Sequence, residues 1–142
     1  MRSYTASMLA VILFYVVYHL GQRNIPHQVN PAASLFITYS ICLILSLVMF
    51  LWFPAPEGIR AAFAQVNWVS YALAIGVVGL EVGFLLVYRS GWKLSMAAIY
   101  SNVSVALLLI PIGMIFYQER LTKTNTLGVV FAILGIVLMG LK

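Results

Sequence analysis

The sequence predicts an all-α integral membrane protein of five transmembrane helices. Three observations lead there. Its composition is 63% hydrophobic and only 8% charged over 142 residues, with a mean hydropathy of +1.04, where a soluble domain carries about 25% charged residues. Apolar runs near the 20 or so residues that a bilayer crossing needs recur along the chain, about residues 4–20, 32–53, 68–88, 94–117 and 125–141. Trp52, Trp68, Trp92, Tyr4, Tyr88 and Tyr117 stand at the ends of those runs, where amphipathic rings meet headgroups.

The first run follows Arg2 and closes on Tyr15, Val16, Val17, Tyr18, His19 and Leu20. A secretory signal also has a basic start and an apolar centre. Here Gln22-Arg23-Asn24-Ile25-Pro26 follows instead of a small-residue cleavage site, so the run is read as a slightly short membrane helix. Asn30-Pro31 opens the second run, a capping side chain followed by a proline at the first helical position, where its missing N–H is harmless. Pro54 and Pro56 stop that helix. The turn Pro54-Ala55-Pro56-Glu57-Gly58 leads into Ile59 to Val66, whose Ile59, Ala62, Phe63 and Val66 share a face and suit a short interfacial helix. Asn67 is placed to cap the third span.

Only Arg89-Ser90-Gly91-Trp92-Lys93 separates the third span from the fourth, a connection short enough to make them antiparallel neighbours. Pro111 interrupts the fourth. The polar knot Gln118-Glu119-Arg120-Leu121-Thr122-Lys123-Thr124-Asn125 then turns the chain into a last span marked by Gly128, Gly135 and Gly140. The whole is read as one domain, 1–142, with its two ends on opposite sides of the membrane. No glycine-rich phosphate loop occurs, and no extramembrane stretch is left for a nucleotide site or a hydrolytic triad, so the chain is not expected to be an enzyme or to need a cofactor.

Charge and ligand types narrow the reading further. The net charge is +5, but the eight Lys and Arg are scattered singly and form no stripe that could follow phosphates, so no nucleic-acid partner is expected. Cys42 is alone, and His19 and His27 lack the spacing of a metal pair, so no metal site is expected.

The polar residues inside the spans are the candidate site. Glu81 is the one carboxylate well inside the membrane, where an acidic side chain costs at least about 2.5 kcal/mol and so faces a cavity or a partner. Two readings stand: a titrating group that exchanges a proton for a cation, or a neutral glutamate hydrogen-bonded to a neighbouring helix. Tyr15 and His19, four residues apart, share a face, and with Tyr18 they suit an aromatic pocket for an organic cation or an aromatic solute; Tyr18 and His19 equally suit contact with headgroups. The fourth span carries Tyr100, Ser101, Asn102 and Ser104. Ser101, Ser104 and the carbonyl freed near Leu107 by Pro111 lie along one face, fit for hydrogen bonds to a ligand, a hinge, or close helix packing. Gly128, Ala132 and Gly135 form a small-residue seam on the last span, expected to serve assembly. Glu119 is expected to cap that helix or to pair with Arg120 or Lys123.

Gln118-Glu119-Arg120-Leu121-Thr122 followed by a helix bearing Gly128 and Gly135, at the end of five spans, resembles the close of an EamA-type repeat of the drug/metabolite transporter superfamily. Asn30-Pro31-Ala32-Ala33-Ser34-Leu35 with Tyr39 is similar to the start of the second helix in such proteins. The resemblance covers the whole chain, as one repeat of the ten-helix transporters or a five-helix member. It implies transport of small metabolites or drugs through a cavity lined by the first four helices, with the fifth used in assembly. The four-helix small multidrug resistance relatives carry an essential glutamate in the middle of helix one. The first span here has no carboxylate, so that mechanism does not carry over and Glu81 is a candidate from the residues alone.

The expectation is therefore a secondary transporter of a small organic solute in the plasma (inner) membrane, with the bilayer and that solute as its partners. Lys and Arg divide evenly: Arg2, Arg60, Arg120 and Lys123 on the amino-terminal side, Arg23, Arg89, Lys93 and Lys142 on the other. Even charge leaves orientation undecided, which points to an antiparallel, dual-topology homodimer. The alternative from a different class is a non-transporting membrane subunit that assembles with another five-helix protein.

Overall fold

The computed structural model describes residues 2–140, with side chains from Tyr4 onward. Six helices follow one another: α1 Arg2–Asn24, α2 Pro31–Met49, α3 Ile59–Ala64, α4 Trp68–Arg89, α5 Leu94–Phe116 and α6 Lys123–Gly140. All but α3 are long and apolar enough to cross a membrane. Among the described residues there is no strand. In lipid this follows from backbone chemistry, since a helix satisfies its own N–H and C=O groups where no water can. The protein is an all-α integral membrane protein. Leu141 and Lys142, which enter the reading of the last span and of the charges, lie outside the described residues.

Local signals set the helix ends. The α1 helix continues beyond Leu20 through Gln22 and Arg23, and stops where the Asn24 side-chain amide donates to the Leu20 carbonyl at 2.8 Å. Ile25 then precedes Pro26, which disfavours helical geometry at residue 25. Asn30 Oδ1 accepts the Ala32 N–H at 2.8 Å with Pro31 as first helical residue, and Asn67 Oδ1 accepts that of Val69 at 3.0 Å. The α2 helix ends at Met49 and tightens into turns through Phe53, because Pro54 cannot donate and restrains its predecessor. Gly58, with φ 89°, makes the turn into α3, a conformation that a side chain would strain.

The chain divides into two compact units, residues 1–90 and 91–142, at Gly91, whose φ of 91° again needs glycine. In the first unit α4 packs against both α1 and α2. His19 faces Phe84 with ring centroids 4.8 Å apart, and four residues further along both helices Arg23 donates to the Tyr88 carbonyl at 3.1 Å. With Arg89 reaching the residues just after α1 as well, the carboxyl ends of α1 and α4 lie together. The α1–α2 connection is tied down by Arg89, which donates to the carbonyls of Val29 at 2.5 Å and Pro26 at 3.4 Å.

In the second unit α5 is one unbroken helix containing Pro111. It packs on α6 where the Tyr100 hydroxyl donates to the Ile136 carbonyl at 3.3 Å. Leu, Ile, Val and Phe side chains cover most of the exterior of both units. That suits lipid, in which apolar surface gains nothing by hiding and helices associate through packing and hydrogen bonds.

Candidate functional site

The first unit gathers the polar residues of α1 and α4 into one cluster. On α1, Tyr15, Tyr18, His19 and Gln22 recur at three, four and seven residues, which is one helix face. On α4, Glu81, Phe84, Leu85 and Tyr88 do the same. Where the faces meet, His19 Nδ1 and the Tyr88 hydroxyl are hydrogen-bonded at 2.6 Å, and Gln22 Nε2 donates to Glu81 Oε2. His19 is 5%, Gln22 7% and Tyr88 2% exposed, so the His19–Tyr88 bond is made out of reach of solvent and lipid alike, while the bond to the half-buried Glu81 is partly covered. Rings surround them. Tyr15 stands edge-on to His19 with centroids 4.3 Å apart, Tyr18 stacks parallel to Tyr15 at 6.1 Å, and Phe84 is edge-on to Tyr18 at 5.8 Å.

Buried polar groups ordinarily find partners, and several here find only half of theirs. Tyr18 Oη, His19 Nε2 and Gln22 Oε1 are buried with no hydrogen-bond partner in the protein, as is Tyr39 Oη on α2. The Glu81 carboxylate is met by a neutral amide and not by Arg or Lys. A carboxyl group and a set of unpartnered polar atoms thus lie together, with Glu81 about 12 Å along α4 from its Arg89 end. On the surface between α2 and α4 lies an open groove of about 430 Å³ lined by Tyr39, Ser70, Leu73, Ala74, Val77 and Val78.

Of the residues expected from the sequence, Tyr15, Tyr18, His19 and Glu81 stand together. Gln22, Phe84 and Tyr88 join them without having been singled out as site residues. The signal for Gln22 was the stripe running 15, 18, 19, 22; ending the first span at Leu20 conceals it, because Gln22 then falls in a polar connection.

Tyr100, Ser101 and Asn102 belong to the second unit. Tyr100 holds Ile136 and stands edge-on to Trp92 at 5.5 Å, Ser101 donates to the Ala98 carbonyl of its own helix at 3.1 Å, and Asn102 is exposed. On α6 a side-chain carbon added at Gly128 or Gly135 would meet nothing within 4 Å, whereas at Gly140 it would meet Tyr100 Oη at 2.8 Å. Contact with α5 is therefore made at Ile136 and Gly140, with Ala132 one turn before Ile136 on the same face, while Gly128 and Gly135 have open space around them. Glu119 departs from expectation. The cap of α6 is Thr122, whose Oγ1 accepts the Asn125 N–H at 3.1 Å. Gln118, at φ 54°, turns the chain back so that the Glu119 N–H reaches the Gly113 carbonyl at 3.1 Å and its carboxylate lies against Gly113. Among the described residues, no group of three or more His, Cys, Asp or Glu could hold a metal ion.

Five apolar helices with a carboxylate, an amide and an imidazole gathered between two of them define a polytopic membrane protein built around an intramembrane polar cluster. Such groups are expensive at that depth and mark solute or proton paths. The EamA-like transporter family model matches residues 3–141, and the chain belongs to that family. No curated protein and no solved structure matches it.

Proposed function

We propose that the protein is a secondary transporter of a small organic solute in the plasma membrane. It works by alternating access, is coupled to protons through Glu81, and assembles as an antiparallel homodimer of two five-helix copies. The observation that carries this reading is the Glu81–Gln22 pair inside the spans, on the same two helix faces as the mutually packed rings of Tyr15, Tyr18, His19, Phe84 and Tyr88. A carboxylate at that depth serves either a solute or a proton, and the ring faces around it favour a cation. Alternation between two facings needs two related halves around a midplane site. Two inverted copies supply them, and the seam Gly128–Ala132–Gly135, open at its two glycines, offers a surface for their association.

The test is solute flux in proteoliposomes under an imposed pH gradient, comparing wild type with Glu81→Gln. The amide keeps the shape of the side chain and loses its titration. Proton-driven flux, or its dependence on pH, should be abolished while folding and oligomeric state stay as they are. Flux with an unchanged pH profile in Glu81→Gln removes Glu81 from coupling. A wild-type protein that moves no solute at all is instead the scaffold subunit that the sequence leaves open.

A further inference from the structure

We infer that the α1–α2–α4 cluster recognises an amphiphilic primary or secondary amine, its ammonium N–H groups received at Glu81 and Gln22 and its apolar body lying in the groove between α2 and α4. This deepens the transport reading above by naming the solute class, and rests on it.

The first observation is a matter of donors and acceptors. Because Gln22 Nε2 donates to Glu81, the other end of the same amide, Oε1, presents an acceptor, and it has no partner in the protein although the residue is 7% exposed. The hydroxyl of Tyr39 on α2 is also buried and unpartnered. A buried acceptor left unpaired costs roughly 1–3 kcal/mol. An ammonium N–H repays that with a charge-assisted bond, while a quaternary ammonium satisfies only the charge and the ring faces.

The second observation is charge. Of the three acidic residues in the chain, Glu81 is the one within a span, and its partner Gln22 is neutral, so a cation completes the site where an anion would be repelled.

The third is shape. The groove wall runs along α4 through Ser70, Leu73, Ala74, Val77 and Val78 and stops three to four residues, roughly 5 Å of helix rise, short of Glu81. Val77 on the groove wall lies one turn before Glu81 on the same face of α4, so the groove leads toward the carboxyl group. At about 430 Å³ the groove is of a size that small-molecule sites commonly have.

Binding of n-hexylamine, protonated at neutral pH, is measured calorimetrically on the purified protein against hexyltrimethylammonium, 1-hexanol and methylamine. Hexylamine should bind about tenfold or more tighter than each of the others, as expected when N–H donation, charge and tail all contribute. Gln22→Leu should weaken hexylamine about tenfold and leave hexyltrimethylammonium unchanged; Tyr39→Phe, which removes one oxygen and no bulk, should weaken it less but in the same selective way. Filling the groove with Val77→Trp should weaken hexylamine and spare methylamine. Equal binding of hexyltrimethylammonium overturns the N–H argument. Equal binding of 1-hexanol, the behaviour of a groove that simply holds lipid tails, overturns the head site, and absence of hexylamine binding overturns the whole inference. Parallel flux assays separate the two readings: amine binding without flux leaves the site standing and ends the transport reading, whereas flux of a different solute without amine binding does the reverse.

Discussion

At the scale of single residues, the bond between His19 and Tyr88 shows what lipid does to the usual arithmetic. Both side chains are buried, and the bond is short at 2.6 Å. Hydrogen bonds between membrane helices nevertheless contribute only about 0.6 kcal/mol on average and about 1.7 at most, since the separated helices find other partners. Tyr88→Phe should therefore lower stability in detergent by about 1 kcal/mol. A double-mutant cycle with His19→Phe should recover most of that as coupling. Coupling indistinguishable from zero would show that the contact is geometry without energy. Half of this pair was readable in advance. The spacing of Tyr15 and His19 puts them on one face whatever the fold, and their rings do meet at 4.3 Å. Tyr88 reads from its position alone as a ring at the membrane interface, because nothing local says that α4 runs alongside α1. That information lies in the packing of helices far apart in sequence.

At the scale of elements, the same contrast divides helix starts from helix neighbours. Asn30 and Asn67 cap α2 and α4 as their sequence context predicts, because a cap needs only the two or three residues that follow it. Glu119 was expected to cap α6 or to pair with a neighbour, and its actual place depends on the positive φ of Gln118, which folds the chain back over Gly113. Thr122→Ala should accordingly destabilise the protein by about 1 kcal/mol, the usual cost of a lost cap, whereas Glu119→Gln should change little. Equal losses for the two substitutions would return the capping role to Glu119. The glycines of α6 divide in a similar way. Gly128→Leu and Gly135→Leu put bulk where the chain has open space, so the isolated protomer should keep its stability while the dimer weakens. Gly140→Ala meets the Tyr100 hydroxyl and should loosen α6 from α5 within one chain. Cross-linking to read oligomeric state, alongside thermal unfolding, separates the two effects. A Gly128→Leu protein that dimerises like wild type would place the assembly surface elsewhere.

At the scale of the whole molecule, the question is how the five spans are oriented in the bilayer, and charge is what orients a membrane chain. Excess Lys and Arg in short connections stays cytoplasmic. The carboxyl ends of α1 and α4 lie together, which brings Arg23 and Arg89 to the same end of the first unit, both turned onto backbone carbonyls there, with Lys93 following within a few residues of sequence. Arg60, on α3 just before α4 begins, belongs to the opposite end. Counting Arg2, Arg120 and Lys123 to that side and Lys142 to the other, as the alternation of spans in the sequence implies, gives four against four, so that neither insertion is expected to be favoured. On the proposed reading, a five-helix repeat whose charges do not choose a side enters the membrane both ways, and the two products form the inverted pair that alternating access requires. Reporters fused at the carboxyl end, one active only in the cytoplasm and one only outside, should therefore both be active. Two or three added lysines on either side should silence one reporter and raise the other, because each shifts the balance at which both orientations coexist. Flux should fall with either set of lysines alone and return when the two oppositely biased variants are expressed together. A single active reporter in the unmodified protein would exclude the antiparallel homodimer and leave a chain of one orientation.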